Sequence, residues 1–177
     1  MTTPKKNSRL QNIIKDLASS DEKKVLTALK QLRKHGKKEA IEPLIKLLST
    51  TNNATIQTEI EGLLFDLKDQ NVVEEIVAVI KKNNYPTVAT TLIAIFWQSS
   101  LDGSNHLSTF VKQAITGDYM VGVEVLSVID NFEATFQETE VEDLKFDLDE
   151  AIEEDQTEKK ELLISIRMAV DGLNLEF

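Results

Sequence analysis

The sequence predicts an all-α protein, a solenoid of about ten antiparallel helices. Three observations carry this reading. Apolar residues recur at i, i+3, i+4 and i+7 along nearly the whole chain, which is the spacing of one helix face. Every second stripe returns at a near-constant interval: Ile41 to Val73 is 32 residues, Val73 to Leu107 is 34, and Leu107 to Val141 is 34. The 177 residues include only six glycines and three prolines, as helices joined by short turns require.

The stripes follow in order. Leu10, Ile13, Ile14 and Leu17 form the first. Val25, Ala28, Leu29 and Leu32 form the second, and Ser20 or Asp21 supplies an oxygen for its unbonded N–H groups. His35-Gly36-Lys37-Lys38 ends that helix. Glycine accepts the left-handed conformation of a helix stop, and basic side chains suit the negative end of the dipole. Ile41, Leu44, Ile45 and Leu48 come next. Pro43 fits among them if the helix begins near Glu39 or Ala40, because a first-turn proline forfeits no bonded N–H. Ile60, Leu63, Leu64 and Leu67 follow, then Val73, Ile76, Val77 and Ile80, then Val88, Leu92 and Ile95 behind a first-turn Pro86. Leu107, Phe110, Val111 and Ala114 precede Val125, Val128, Ile129 and Phe132. Val141, Leu144, Leu148 and Ile152 precede the last set, Leu162, Ile166, Ala169 and Val170. Residues 121–129 are rich in valine and partly alternating, but their place in the repeat makes them helical, so no strand is expected. The organisation read from this pattern is a flexible N-terminus at 1–7, one helical-repeat domain at 8–173 and a C-terminal tail at 174–177.

One stretch is more specific than the apolar pattern. Asp21, Val25, Ala28, Leu29, Leu32, Gly36, Glu39-Ala40-Ile41-Glu42-Pro43-Leu44-Ile45 and Leu47-Leu48 resemble the HEAT-like repeats of bacterial proteins, particularly the short phycobilisome-lyase type. The match covers residues 20–48 and reduces to the bare apolar pattern from Asn53 to Ile115. The Asp…Val-Arg turn usual in the family is absent from the later repeats. The resemblance implies a right-handed superhelix of antiparallel helix pairs of the HEAT and armadillo kind, and most often protein binding. It implies no one chemistry.

Charge is distributed unevenly. Residues 1–50 hold twelve Lys/Arg and five Asp/Glu, a net of +7; residues 51–177 hold eight and twenty-five, a net of −17, giving the total of −10. Residues 118–161 alone hold sixteen acids against three lysines. In a solenoid chain order is spatial order, so one end is expected to be basic and the other acidic. Charged outer faces keep a repeat protein soluble. The same polarity offers an acidic end to a basic partner, or to the basic end of another copy, in a heterologous contact. There is no cysteine, hence no disulfide framework. The N-terminus MTTPKKNSRLQ has no apolar core behind its lysines, and no segment approaches 18 apolar residues. A soluble cytoplasmic protein with no membrane partner is the expectation.

Candidate binding residues come from the repeat phase. The second helix of each pair lines the inner surface of such solenoids, and its positions beside the core stripe are Glu42 and Lys46, Glu74 and Ala78, Ser108 and Lys112, and Glu142 and Phe146. This ladder is mixed in sign, which counts against a nucleic-acid groove. Asp143, Asp147, Glu150 and Glu154 make an acidic stripe on one helix. It suits a basic protein partner or simple solvation. No calcium-loop glycine and no histidine accompany it, so no metal is expected. Phe146 and Trp97 point away from their apolar stripes, and packing on a flanking helix is preferred for both over an exposed anchor. His35 and His106 lie beside no Ser, Cys or Asp set fit for a catalytic relay, and no phosphate loop is present.

The leading functional expectation is a non-enzymatic protein-interaction scaffold without cofactors. It binds through its inner face or its acidic C-terminal end, with self-association through oppositely charged ends as a further form. A nucleic-acid reading rests on Lys23, Lys24, Lys30, Arg33, Lys34, Lys37 and Lys38 in a single repeat. A role as accessory to an enzyme, such as a chromophore lyase, rests only on the name of the repeat type.

Overall fold

The computed structural model describes the backbone of residues 4–35 and 38–176, with the side chains of 4–7, 34 and 35 excepted. Among the described residues the protein is all-α, with ten α-helices. They are α1 (Pro4–Leu17), α2 (Glu22–His35), α3 (Ile41–Thr50), α4 (Ala54–Phe65), α5 (Val73–Lys82), α6 (Ala89–Gln98), α7 (Leu107–Thr116), α8 (Tyr119–Asp130), α9 (Glu138–Glu154) and α10 (Lys159–Asp171). The expected stop at Gly36 and Lys37, and the side-chain role of His35, lie outside the described residues.

The repeat phase read from the sequence coincides with element starts. Ile41, Val73 and Leu107 are the first residues of α3, α5 and α7, each ten residues long. Each follows a single 3-10 turn, at Lys38–Ala40, Gln70–Val72 and Ser104–His106. Such turns satisfy first-turn groups with tighter i→i+3 bonds. Pro43 sits third in α3 and Pro86 opens the turn before α6, so neither breaks a helix.

Side-chain caps start other helices. Asp21 accepts from the Lys23 N–H (2.9 Å) before α2. Asn53 accepts from Thr55 and Ile56 (3.0 and 3.1 Å) before α4. Asp118 accepts from Val121 (2.9 Å) before α8. Asn83 ends α5 in the left-handed region (φ 49°), its N–H bonded to the Ile80 carbonyl; a short amide side chain tolerates that conformation.

Contacts cluster into two compact units, Met1–Val88 and Ala89–Phe177, where the sequence led us to expect one domain. In the first unit α2 and α4 lie side by side, and α1, α3 and α5 form a second layer against them. In the second unit α6, α8 and α10 form one layer, and α7 and α9 the other. The layers meet through the predicted stripes. Ile41, Leu44, Ile45 and Leu48 of α3, Val73, Ile76, Val77 and Ile80 of α5, and Leu107, Phe110, Val111 and Ala114 of α7 are all buried. Burying a Leu, Ile or Val side chain contributes about 1.5–3 kcal/mol, so four such positions per helix outweigh propensity. Ile14, Leu67, Phe132, Ile152 and Ala169 are only half-buried.

The second unit holds a second device, a run of rings. Phe96 meets Phe110 edge-on at 5.0 Å, Phe110 meets Phe132 at 6.1 Å, and Phe132 meets Phe136 at 5.7 Å. Gly103 lets the first pair close: a Cβ there would lie 2.7 Å from Phe96 and 3.0 Å from Phe110.

Two expectations need correction. Residues 121–129 are helical as read, but strands do exist: β1 (Thr135–Phe136) and β2 (Asn174–Leu175) pair in parallel. Glu176 adds a backbone bond to the Phe136 carbonyl (2.9 Å). Residues 174–176 are therefore held against the segment between α8 and α9, not left as a loose tail. The pairing forms because Phe136 is buried at the end of the ring run and its backbone needs partners there. At the other end α1 begins at Pro4.

Two stability predictions follow from this packing. Ile45→Ala removes a side chain with no exposed surface and is expected to cost about 2–5 kcal/mol. Gly103→Ala forces a methyl against two rings and is expected to cost about 1–3 kcal/mol. Urea unfolding followed by circular dichroism checks both; an unchanged midpoint for Gly103→Ala would refute the ring-contact account.

Candidate functional site

All eight positions of the predicted ladder are exposed. Glu42, Lys46, Glu74 and Ala78 belong to the first unit, and Ser108, Lys112, Glu142 and Phe146 to the second. They are exposed for one reason: in α3, α5, α7 and α9 they stand one and five residues after the first buried stripe residue, off the face that meets the other layer. Asp143, Asp147, Glu150 and Glu154 are exposed as well.

The last of these helices carries the densest chemistry. In α9, Val141, Leu144 and Leu148 are buried, but the position matching Ile45, Val77 and Val111 is Lys145. Its ammonium lies 2.7 Å from Asp171 and 2.8 Å from Glu142. Arg167 of α10 reaches Asp149 at 3.1 Å and Asp171 at 3.5 Å. The hydrogen bond from Lys145 holds the Asp171 carboxyl below its ordinary value, and the bonds to Asp171 and Glu142 raise the Lys145 ammonium. This network couples α9 to α10.

On that outward face stands Phe146, which is 64% exposed. The preferred expectation, that it packs on the last helix, is therefore wrong. The ion pairs explain why: Lys145, Asp149, Arg167 and Asp171 occupy the seam between the helices, and Phe146 falls off it. Helical spacing places Asp143 and Glu142 one turn before it and Glu150 one turn after. The result is an apolar ring bordered by carboxylates. Trp97 is different. It is 39% exposed, and its indole N–H donates to Glu124 across the α6–α8 contact at 2.7 Å. Side packing describes Trp97 in part.

A second feature had no counterpart in the sequence reading. In the first unit α1 and α3 leave a groove of about 580 Å³. Its apolar wall comes from Ile14, Leu17, Pro43, Leu47 and Tyr85, and Glu42 and Lys46 of the ladder border it. Ile14 was read as core. Spacing within a single helix carries no signal for this groove, because its walls come from α1, α3 and Tyr85 together.

The basic cluster is partly neutralised by its own fold. Arg33 pairs with Asp66 and reaches Glu59 at 4.0 Å, and Lys38 lies 3.2 Å from Glu75. Lys23, Lys24 and Lys30 are exposed, whereas the Lys34 side chain and Lys37 lie outside the described residues. His106 sits in the turn before α7. Among the described residues no three His, Asp or Glu side chains are placed to hold a metal ion, and no helix is long and apolar enough to cross a membrane.

Lys159 shows how a half-buried cation is used structurally. Its ammonium donates to the carbonyls of Ile115 (2.7 Å) and Gly117 (2.6 Å), which close the end of α7. Burial pushes this ammonium below its ordinary value, against the opposing pull of Asp155 and Asp118.

Comparison with family models, with curated proteins and with solved structures finds no match to this chain. The site must be interpreted on its geometry alone.

The α9–α10 network predicts a pH response. Asp171 is depressed in the fold, so its contribution is present above the ordinary aspartate value of 3.8 and is lost as pH falls through the lower folded value. Lys145 is raised, so its contribution is present below 10.5 and is lost as pH rises through the higher folded value. Unfolding midpoints measured from neutral pH downward are expected to fall less steeply for Asp171→Asn than for wild type in the acid range. Parallel curves would remove the network as the cause.

Proposed function

We propose that this protein is a non-enzymatic protein-interaction scaffold of HEAT-like helical repeats, a right-handed superhelix acting in the cytoplasm. The observation that carries the reading is the exposed face of α9, where Phe146 stands among Asp143, Asp147, Glu142 and Glu150. A large ring left in water costs free energy that a partner recovers by covering it. Charge around it excludes indiscriminate apolar contacts and selects a basic partner. The two-layer arrangement within each unit and the shared start of α3, α5 and α7 support a repeat scaffold of this kind. The intramolecular pairing of Arg33 and Lys38 weighs against the nucleic-acid reading, since those cations already have carboxylate partners.

The reading assigns Phe146 the part of a central anchor. Replacing such an anchor with alanine costs about 2 kcal/mol or more, close to 30-fold in Kd. Affinity purification from native cells with wild type and Phe146→Ala, followed by titration of the captured protein, checks this. A loss of that size with an unchanged unfolding midpoint is expected. Equal capture by both forms, or turnover of a substrate by the purified protein, would overturn the proposal.

A further inference from the structure

We propose that the groove between α1 and α3 receives α9 of a second copy of this chain, with Phe146 as the inserted side chain. The inference rests on the α9 face being a docking surface, and adds where it docks and on what. The groove is an open cleft of about 580 Å³, walled by Ile14, Leu17, Pro43, Leu47 and Tyr85. Clefts of that size take a compact apolar group. Its neighbours Glu42 and Lys46 cancel locally, so the groove itself asks for an apolar insert, not an ion.

The surroundings decide which insert. The first unit, which holds both groove helices, carries fifteen Lys/Arg and eleven Asp/Glu, a net +4, and α9 carries nine carboxylates and one lysine, a net −8. Opposite charges of this size steer approach over a screening length of about 8 Å at physiological ionic strength. On α9 the apolar group presented is Phe146, at 64% exposure. Field and shape thus select the same occupant. Because groove and anchor are different surfaces, the contact is heterologous: each copy offers one and accepts the other, building a head-to-tail chain or a closed ring.

Sedimentation of the full chain tests this at about 0.01 M and about 1 M salt, where screening lengths are roughly 30 and 3 Å. Two variants are needed. Phe146→Ser removes the insert and leaves the groove. The double change Lys46→Glu and Thr50→Glu puts acid along the groove and leaves the insert; both positions are exposed, so the fold is retained, as an unchanged unfolding midpoint verifies. Wild-type mass is expected to rise with concentration at low salt and return to one chain at high salt. Each variant alone is expected to stay a single chain, with association weakened at least about tenfold. An equal mixture of the two is expected to give pairs and nothing larger, since only one groove and one insert remain. A monomeric wild type at both salts, assembly of Phe146→Ser like wild type, or a mixture that stays monomeric overturns the proposal. A monomeric wild type that still captures a partner through Phe146 overturns the self-contact and leaves the scaffold reading intact.

Discussion

A ten-residue helix is too short to persist in water, because nucleation costs more than so few hydrogen bonds return. In this protein α3, α5, α6 and α7 are each ten residues long. They exist because each lays an apolar stripe against a neighbouring layer. Mutual burial between layers is therefore the constraint from which the rest follows. It sets the repeat interval, since a pair of helices and two turns must return the stripe to the same face. It fixes the outward positions too, since whatever lies off the stripe is left to solvent.

That constraint relaxes once, and the exception shapes the surface. The α9 position equivalent to Ile45, Val77 and Val111 is Lys145. A lysine there is not buried with an aliphatic partner. It reaches Asp171 and Glu142, while Arg167 spans to Asp149. Exposed ion pairs contribute little individually, but a directional set of them orients one helix on another. Orientation is what Phe146 depends on: with the seam occupied by ions, the ring has no place in it. The first unit has the complementary irregularity, an apolar groove that α1 and α3 leave between them.

Much of this was legible in the residues. Periodicity located the buried stripes of α2, α3, α5 and α7 in full, and the phase marked by Ile41, Val73 and Leu107 fell on helix starts. It also named the exposed ladder from Glu42 to Phe146. What escaped it had long-range causes. The pairing of Thr135–Phe136 with Asn174–Leu175 joins two-residue segments far apart in sequence, too short for any alternating pattern to announce. The exposure of Phe146 depended on what Lys145 and Arg167 do across the seam, which spacing on a single helix does not contain. The burial of α6 on nearly every side, from Leu92 through Phe96, reflects neighbours and not period.

The sequence by itself determined the class of fold, the apolar stripe of most helices, and the uneven placement of charge along the chain. Those are local properties, set by 3.6 residues per turn and by the cost of leaving apolar stripes in water. Only the tertiary structure decided which polar residues pair between helices, where the chain end is tied, and where an apolar group stays uncovered. These depend on which surfaces meet, and meeting is a property of two elements at once that neither stretch of residues records alone.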